Sequence, residues 1–279
     1  MTTRPTDRCE LVAARRRLDA ELVRRKLARS REHAATLIAD GRVRVAGMPA
    51  TKPATAVDPA VALVVIDAPA SEDYVSRGGH KLAGALDVFR QDGLDVKGRR
   101  CLDAGASTGG FADVLLRRGA TSVVAVDVGY GQLAWSLRSD DRVEVHDRTN
   151  VRDLTAGLVG DPVEVVVGDL SFISLRLVLP ALRSVATEDA DLVLMVKPQF
   201  EVGKERVGKG GVVRDPALRA EAVHAVAMEA AGLGLGVAGV TASPLPGPSG
   251  NVEYFLWLRA DAAPPDPAAV DRAVEEGPT

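Results

Sequence analysis

The sequence predicts an α/β protein in which a mostly parallel sheet, covered by helices on both faces, follows a small N-terminal α+β module. From Arg99 onward, short apolar runs alternate with helical patterns, as in successive βαβ units. The predicted strands span 99–103, 122–126, 142–145, 163–168, 191–197, 235–243 and 252–258. Because no helix separates the last two, they should form a terminal hairpin, and the seventh strand should run antiparallel.

A glycine-rich turn marks the entry to this sheet. Residues 100–111 read RCLDAGASTGGF, in which an apolar strand ends at Asp103 and a helical pattern follows. Gly105 permits a left-handed backbone and the close approach of a ligand, and Gly109 lets the helix start pack closely. Taken alone, the turn fits a dinucleotide site, an S-adenosylmethionine site or a G-x-S-x-G nucleophile elbow around Ser107. An ordinary βα turn is the simplest alternative.

Composition and charge restrict the class of protein. The chain has 279 residues, of which 46% are hydrophobic, 26% charged and only 4% aromatic, so contacts to nucleic acid cannot depend mainly on stacking. Residues 1–67 carry 13 lysines and arginines against 8 acids, whereas the remainder carries 22 against 30. A basic end on an acidic body suggests an arm for nucleic acid or a membrane surface.

The cysteines and the apolar runs indicate a cellular compartment. Cys9 and Cys101 form no disulfide framework, and Cys101, inside an apolar strand, should be a core residue. The N-terminus lacks the apolar region of a signal peptide, and no run is long enough to span a bilayer. We therefore expect a cytoplasmic protein that binds no membrane.

Residues 8–67 form a candidate module of two helices and a hairpin. The first helix places Leu18, Leu22 and Leu27 on one face, and Ser30 is a suitable N-cap for the second. Residues 41–47 alternate basic and apolar side chains and end in a turn, as a β-hairpin does. Five arginines offer a phosphate-binding surface, although a solvated helix face would carry such residues too. They are Arg17, Arg29, Arg31, Arg42 and Arg44.

The segment RLDAELVRRKLARSREHAATLIADGRVRVAG resembles the S4 RNA-binding domain across both helices and the hairpin. The resemblance implies binding of structured RNA through its shape and backbone. Residues 68–76, APASEDYVS, are polar and contain proline, which predicts a linker between this domain and the sheet. Residues 261–279, rich in alanine and proline, are predicted to be a disordered tail.

Several polar residues fall at the carboxyl ends of the predicted strands, the edge at which open α/β sheets bind ligands. They are Asp103, Asp127, Asn150, Asp169 and Lys197. Asp127 can hold ribose hydroxyls in either a dinucleotide or an S-adenosylmethionine site, and Asn150 can contact adenine or shape a turn. Lys197 ends a strand that should be buried on both faces, which favours a functional role over a snorkelling surface lysine.

Four charged residues are predicted to converge at that edge. A helix that begins near His80 carries Lys81 in its first turn, where the helix dipole disfavours a cation. Glu253 begins the antiparallel strand, so it should lie beside the ends of the strands that carry Asp169 and Lys197. Two amines and two carboxylates suit methylation of a ribose 2′-hydroxyl. A lysine crowded by another cation can orient or deprotonate the hydroxyl, and the carboxylates hold the lysines.

These four positions match the Lys-Asp-Lys-Glu tetrad of FtsJ-type ribose 2′-O-methyltransferases. Together with SRGGHKL, LDAGASTGGF, GDLSF, MVKPQFE and NVEYF, they make the chain resemble the TlyA family, historically called haemolysin A. The resemblance implies a Rossmann-like class I methyltransferase domain over 77–260, which transfers a methyl group from S-adenosylmethionine to cytidine 2′-hydroxyls of 16S or 23S rRNA in ribosomal subunits. It makes Lys81, Asp169, Lys197 and Glu253 catalytic. It assigns cofactor binding to Gly105, Ser107, Gly109 and Asp127, to which Asp103 and Asn150 are added from their place at the sheet edge.

Other functions fit the sequence less well. A hydrolase would need more strands before Ser107, and His224, in a helical pattern, is expected to serve packing. The P-loop-like run 203–209 is followed by Gly210 where a serine or threonine is required, so a loop that closes over RNA is the better interpretation. Four scattered histidines predict no metal site. A membrane-active haemolysin and an inactive RNA-binding protein stay as alternatives, and we expect a monomer.

Overall fold

The computed structural model describes residues 15–28, 30–39, 41–66, 74–247 and 249–277. The chain divides into two units, residues 1–73 and residues 74–279. The predictions for Cys9, for Arg29 and for residues 68–73 of the expected linker lie outside the described residues.

The first unit is a small α+β domain. Its elements are β1 (Arg16–Arg17), α1 (Leu18–Arg24), α2 (Arg31–Ala39), β2 (Val43–Val45), β3 (Met48–Pro49), β4 (Ala56–Val57) and β5 (Leu63–Val65). β2 pairs antiparallel with both β3 and β5, and β1 pairs with β4. Leu18, Leu22 and Leu37 are buried in its core. Ser30 acts as the expected cap, since its Oγ accepts the backbone N–H of His33 at 3.1 Å.

The second unit is built on a seven-stranded sheet. Its strands are β6 (Arg100–Ala104), β7 (Ser122–Val126), β8 (Val143–His146), β9 (Val163–Gly168), β10 (Ala186–Val196), β11 (Gly236–Ala242) and β12 (Tyr254–Arg259). Its helices are α3 (Arg77–Arg90), α4 (Gly110–Arg117), α5 (Trp135–Arg138), α6 (Ala156–Val159), α7 (Leu179–Ser184), α8 (Pro198–Glu201), α9 (Pro216–Gly232) and α10 (Pro267–Glu275).

The order of the strands explains where a ligand can bind. They lie in the order β11-β12-β10-β9-β6-β7-β8. The pairs from β10 to β8 are parallel, and β12 is antiparallel to both of its neighbours. The predicted seven-stranded sheet with an antiparallel seventh strand is therefore confirmed. The order reverses between β6 and β9, and ligands of such sheets bind beyond the carboxyl ends of the strands at this switch point.

Both faces of the sheet are buried, because alternate strand residues face two apolar cores. Leu102 of β6 packs in one core with Leu179 of α7 and Val226 of α9. Cys101, the preceding residue, packs in the other with Leu82 of α3 and Leu115 of α4. Burial raises the pKa of the Cys101 thiol to about 12, as befits a core residue and not a nucleophile.

The helix that carries Lys81 begins at Arg77 and not near His80. Gly78 and Gly79 lie in its first turn. A Cβ on Gly79 would lie 2.4 Å from the Cβ of Tyr74, so only glycine lets the helix pack against that ring. Lys81 is consequently the fifth residue of α3, so its predicted place in the first turn is wrong, and its side chain is buried.

Residues 74–76, which the sequence assigns to the linker, are part of the second unit. The backbone N–H of Val75 donates to the Asp113 carboxylate at 2.9 Å, and the Arg117 guanidinium lies 5.0 Å from the Tyr74 ring centre. These contacts anchor the segment to α4, so it is not free linker.

The predicted disordered tail is wrong for residues 267–275, which form α10. Asp266 caps this helix by accepting the backbone N–H of Ala268 at 3.0 Å. Val270, Ala273 and Val274 recur at helical spacing and are buried against the sheet unit. The alanine and proline content hid this amphipathic pattern, because proline here occupies the first helical position, where it is favoured.

Candidate active site

The glycine-rich turn after β6 is closely packed. Gly105 has a φ of +87°, and a Cβ there would lie 2.8 Å from the backbone oxygen of Asp169. Gly109 has a φ of +96°, and its Cβ would overlap the side chain of Leu137. Glycine is required at both positions because of conformation and space together. Ser107 is also left-handed, with a φ of +47°, which exposes its backbone N–H toward Asp127.

A cavity of about 420 Å³ opens beyond the ends of β6, β7 and β9. Its lining includes Gly105, Ser107, Asp127, Gln132, Asn150, Asp169, Leu170, Ser171, Phe172 and Ile173. Five of the residues singled out from the sequence therefore meet in one space at the switch point. Gln132 and residues 170–173 were missed, since nothing in their local pattern indicates that they face it.

Asp127 is held in place by two backbone donors. Its Oδ2 accepts the N–H of Ser107 at 2.8 Å, and its Oδ1 accepts the N–H of Gly129 at 2.6 Å. Asn150 also lines the cavity, while its side chain accepts the N–H of Arg152 at 3.0 Å. The two interpretations of Asn150, as a ligand contact and as a turn former, are thus compatible.

Asp103 and Gly109 do not line the cavity. The Asp103 carboxylate is fully buried behind the turn, where Oδ2 accepts the N–H of Ala112 at 2.9 Å. Burial raises the pKa of this carboxyl to about 8. Its expected direct contact with the cofactor is therefore replaced by a structural role, which is to hold α4 against β6.

Two ion pairs lie beside the cavity; the first is buried, and the second is partly buried because the Asp169 side chain is 25% exposed. Lys81 Nζ is 2.5 Å from Glu253 Oε2, and Lys197 Nζ is 2.6 Å from Asp169 Oδ1. Lys197 also donates to Ser171 Oγ at 2.8 Å. Lys81, Lys197 and Glu253 are only 6%, 8% and 1% exposed. Charges buried to this degree are costly unless paired, so each pair fixes its partners.

The strand register places both pairs at the same edge. Val196 of β10 pairs with Tyr254 of β12, so Lys197 and Glu253 occupy the next opposite positions. Asp169 directly follows the last paired residue of β9, on the other side of β10. The order across the edge is therefore Asp169, Lys197 and Glu253, with Lys81 reaching Glu253 from α3. Amines that can orient or deprotonate a hydroxyl thus lie next to carboxylates that hold them.

The glycine-rich segment after Lys197 is tied to the same edge. Residues 204–206 form a 3₁₀ turn, so the P-loop-like run opens no helix. Asn251 is buried, and its side chain accepts the N–H of Val213 at 2.9 Å and donates to the oxygen of Gly211 at 2.8 Å. The loop is therefore anchored to the chain two residues before Glu253. His224 lies within α9, as the helical pattern predicts, and is half-buried.

The predicted RNA-binding arginines have different surroundings. Arg17 and Arg31 both pair with the buried Asp19, at 2.8 and 3.0 Å. Arg42 donates to the backbone oxygen of Ile66 at 3.0 Å, and Arg44 lies in β2. All four belong to the described part of the basic module, and their side chains keep some exposure to solvent.

Neither a metal centre nor a membrane-crossing helix is found in the part of the chain that the structure describes. Among those residues, no three or more histidine, cysteine, aspartate or glutamate side chains are placed to hold a metal ion. No helix within the same ranges has the length and apolarity needed to cross a bilayer.

Two family models match the chain. Residues 74–260 match the FtsJ-like methyltransferase, and residues 16–61 match the S4 domain. The first match spans more than half of the chain and contains the turn, the cavity and both ion pairs. The chain therefore belongs to the FtsJ-like methyltransferase family.

Individual relatives narrow this assignment to the TlyA group within that family. The 16S/23S rRNA (cytidine-2′-O)-methyltransferase TlyA of Mycobacterium tuberculosis is 61% identical over 96% of this chain and 100% of its own length. A Brachyspira hyodysenteriae protein named Hemolysin A is 36% identical over 86% of this chain and 98% of its own. A solved Streptococcus thermophilus structure, described as a hemolysin, has a TM-score of 0.74 at 36% identity, covering 94% of this chain and 95% of that one.

Proposed function

We propose that the chain transfers a methyl group from S-adenosylmethionine to the 2′-hydroxyl of a cytidine in 16S or 23S rRNA. The observation that carries the proposal is the two ion pairs, Lys81–Glu253 and Lys197–Asp169, beside a cavity at the switch point. Family membership supports methyl transfer, and the name of the M. tuberculosis relative supports cytidine in rRNA.

The chemistry of the cavity fits S-adenosylmethionine. Each carboxylate oxygen of Asp127 accepts one backbone N–H and keeps a lone pair for a ribose hydroxyl. Gly105 lines the cavity with backbone alone, because a Cβ there would collide with the Asp169 oxygen, and Leu170 and Ile173 supply apolar surface. Asn150 offers an amide for the adenine. When bound, the sulfonium supplies a methyl group that the protein does not need to activate further.

The two lysines have different roles at the ribose hydroxyl. Lys197, between Asp169 and Ser171, holds the hydroxyl oxygen, and its amine accepts the proton when it is neutral. Lys81 brings a second positive charge, fixed by Glu253, which stabilises negative charge on that oxygen. In-line positioning of the oxygen and the methyl group supplies most of the remaining acceleration.

The first unit binds the RNA under this proposal. Its described arginines, Arg17, Arg31, Arg42 and Arg44, are candidates for phosphate contacts, which give affinity without reading sequence. Under this proposal the substrate is rRNA within a 30S or 50S subunit. The enzyme then acts as a monomer in the cytoplasm, where those subunits are found.

The proposal is tested by incubating the full chain with methyl-labelled S-adenosylmethionine and purified 30S, 50S or 70S particles. We expect label on a cytidine 2′-oxygen with the wild type and a loss of at least 100-fold in rate with Lys197→Ala, on the order of a catalytic acid–base contribution. Lys97→Ala is the matched control, since this exposed lysine precedes β6 at the opposite edge of the sheet. Unlabelled rRNA with the wild type, or equal rates for Lys197→Ala and Lys97→Ala, would refute the proposal.

A further inference from the structure

Glu201 is a buried carboxylate that the proposed reaction does not use. It ends α8, just beyond Lys197, and is 7% exposed. Its Oε2 accepts the Ser174 hydroxyl at 2.5 Å, and its Oε1 accepts the backbone N–H of Leu175 at 2.8 Å. The Arg176 guanidinium lies 3.5 Å away. Both carboxylate oxygens of Glu201 therefore accept hydrogen bonds from one loop, at Ser174 and Leu175, which is distant from Glu201 in sequence.

That loop and α8 are joined at three points along their length. Lys197 contacts Asp169 and Ser171 at one end. The rings of Phe200 and Phe172 lie 5.3 Å apart in the middle. Glu201 closes the other end. The segments 197–201 and 169–175 thus run side by side, and we call them together the double wall.

The double wall joins the cavity proposed for the cofactor to Lys197, the residue proposed to act on the ribose hydroxyl. Its loop segment lines the cavity with Asp169 and residues 170–173. Its other segment starts with Lys197, which is held by that same loop. A shift of the loop would therefore change the shape of the cavity and the position of the Lys197 amine together.

We propose that Glu201 is a positioning residue, which fixes the double wall and so sets both the affinity for S-adenosylmethionine and the placement of Lys197. Loop residues 172–174 contain neither a regular helix nor a strand that would hold them otherwise. Phe172 has a left-handed φ of +65° in a non-glycine residue, a conformation that surrounding contacts must impose. The contacts from Glu201 lie two and three residues farther on, where they can impose it.

The inference rests on the proposed function, and a direct measurement of S-adenosylmethionine binding tests the inference separately from that function. S-adenosylmethionine affinity, rRNA methylation and thermal unfolding are measured for the wild type, Glu201→Ala and Glu201→Gln. We expect Glu201→Ala to weaken cofactor binding and to lower kcat, each on the order of tenfold or more, because hydrogen bonds to a buried charge are lost. Glu201→Gln should recover most of both losses, since its amide oxygen can accept from Leu175 and its amide can donate to the Ser174 oxygen.

Asp191→Asn is the matched control. Asp191 is also a buried carboxylate of β10, but it holds the Trp257 indole at 2.6 Å and pairs with Arg99, away from the cavity. This variant should unfold at a lower temperature and keep wild-type cofactor affinity. If Glu201→Ala behaves as Asp191→Asn does, losing stability only, the inference is overturned.

Ser174→Ala covers the case in which Glu201→Ala fails to fold. It deletes the contact of Ser174 with Glu201, together with the N–H of Arg176 that the same oxygen accepts at 3.2 Å, and leaves the carboxylate with Leu175, so a severalfold weaker cofactor affinity is expected. Wild-type affinity and kcat in Ser174→Ala would overturn the inference. A wild type that binds S-adenosylmethionine but methylates no rRNA would instead refute the proposed function, and the affinity comparison would still test the double wall.

Discussion

Asp103 shows how one residue of a recognisable motif can serve the site without touching a ligand. One carboxylate oxygen accepts the N–H of Ala112 in α4, and the side chain is completely buried. Burial is the main cause that raises its pKa to about 8, with smaller contributions from Asp169 and Asp127. The residue therefore carries a proton in the folded protein at pH values where it would be ionised in the unfolded chain.

The raised pKa of Asp103 predicts that the stability of the protein depends on pH. Because the folded pKa lies above the unfolded value of 3.8, the folded state holds the extra proton, and the free energy of unfolding should fall as the pH rises from about 4 to 8. Asp103→Asn keeps the acceptor for Ala112 but cannot ionise. Its stability relative to the wild type should improve between pH 5 and pH 8, by up to about 1.4 kcal/mol per pH unit. Urea unfolding of both proteins at the two pH values measures the difference, and a constant difference would contradict the assignment.

The residues of the site were predictable from sequence to different degrees. Lys197 and Asp169 stand out because a charge directly follows an apolar strand. Glu253 needed the antiparallel direction of its strand, which the missing helix revealed. Glu201 and Phe172 could not be found, because their contacts join segments about 26 residues apart and leave no local pattern.

At the scale of elements, the sheet was predictable from sequence and the C-terminal helix α10 was not. Doubly buried strands are continuous apolar runs, so their bounds agree within one or two residues for most strands. β10 begins earlier than expected, at Ala186, because a bulge between Ala186 and Asp191 admits polar residues into the strand. α10 was missed because only three apolar residues define its buried face.

The packing of α10 makes a prediction that distinguishes it from a tail. Val270 is 1% exposed and packs in the same core as α9, so Val270→Ala should lower the free energy of unfolding by about 1–3 kcal/mol. Asp271→Ala, at the adjacent exposed position, is the control and should change it by less than about 0.5 kcal/mol. Denaturant unfolding measures both, and equal small effects would contradict a docked helix.

At the scale of the whole molecule, charge is divided between the two units in a way that suits the proposed division of labour. The basic residues concentrate in residues 1–67, whereas the methyltransferase unit carries an excess of acids. An acidic enzyme body repels phosphates in general, so productive binding to rRNA then depends on the basic unit and on the local lysines of the site. Affinity for the substrate should consequently respond to salt mainly through the first unit.

Replacing two arginines of β2 and its preceding turn tests this division. Each phosphate contact contributes about 0.7–0.9 to the slope of log K against log salt concentration, so Arg42→Ala/Arg44→Ala should lower that slope by roughly 1–2 and weaken binding to ribosomal subunits. Affinity for S-adenosylmethionine should stay at the wild-type value, because the described residues that line the cavity belong to the second unit. Arg142→Ala, an exposed arginine of that second unit paired with Asp140, serves as the control and should leave the salt slope near the wild-type value. Filter binding across a salt series gives both slopes. An unchanged slope in the double variant would contradict the assignment of Arg42 and Arg44 as phosphate contacts.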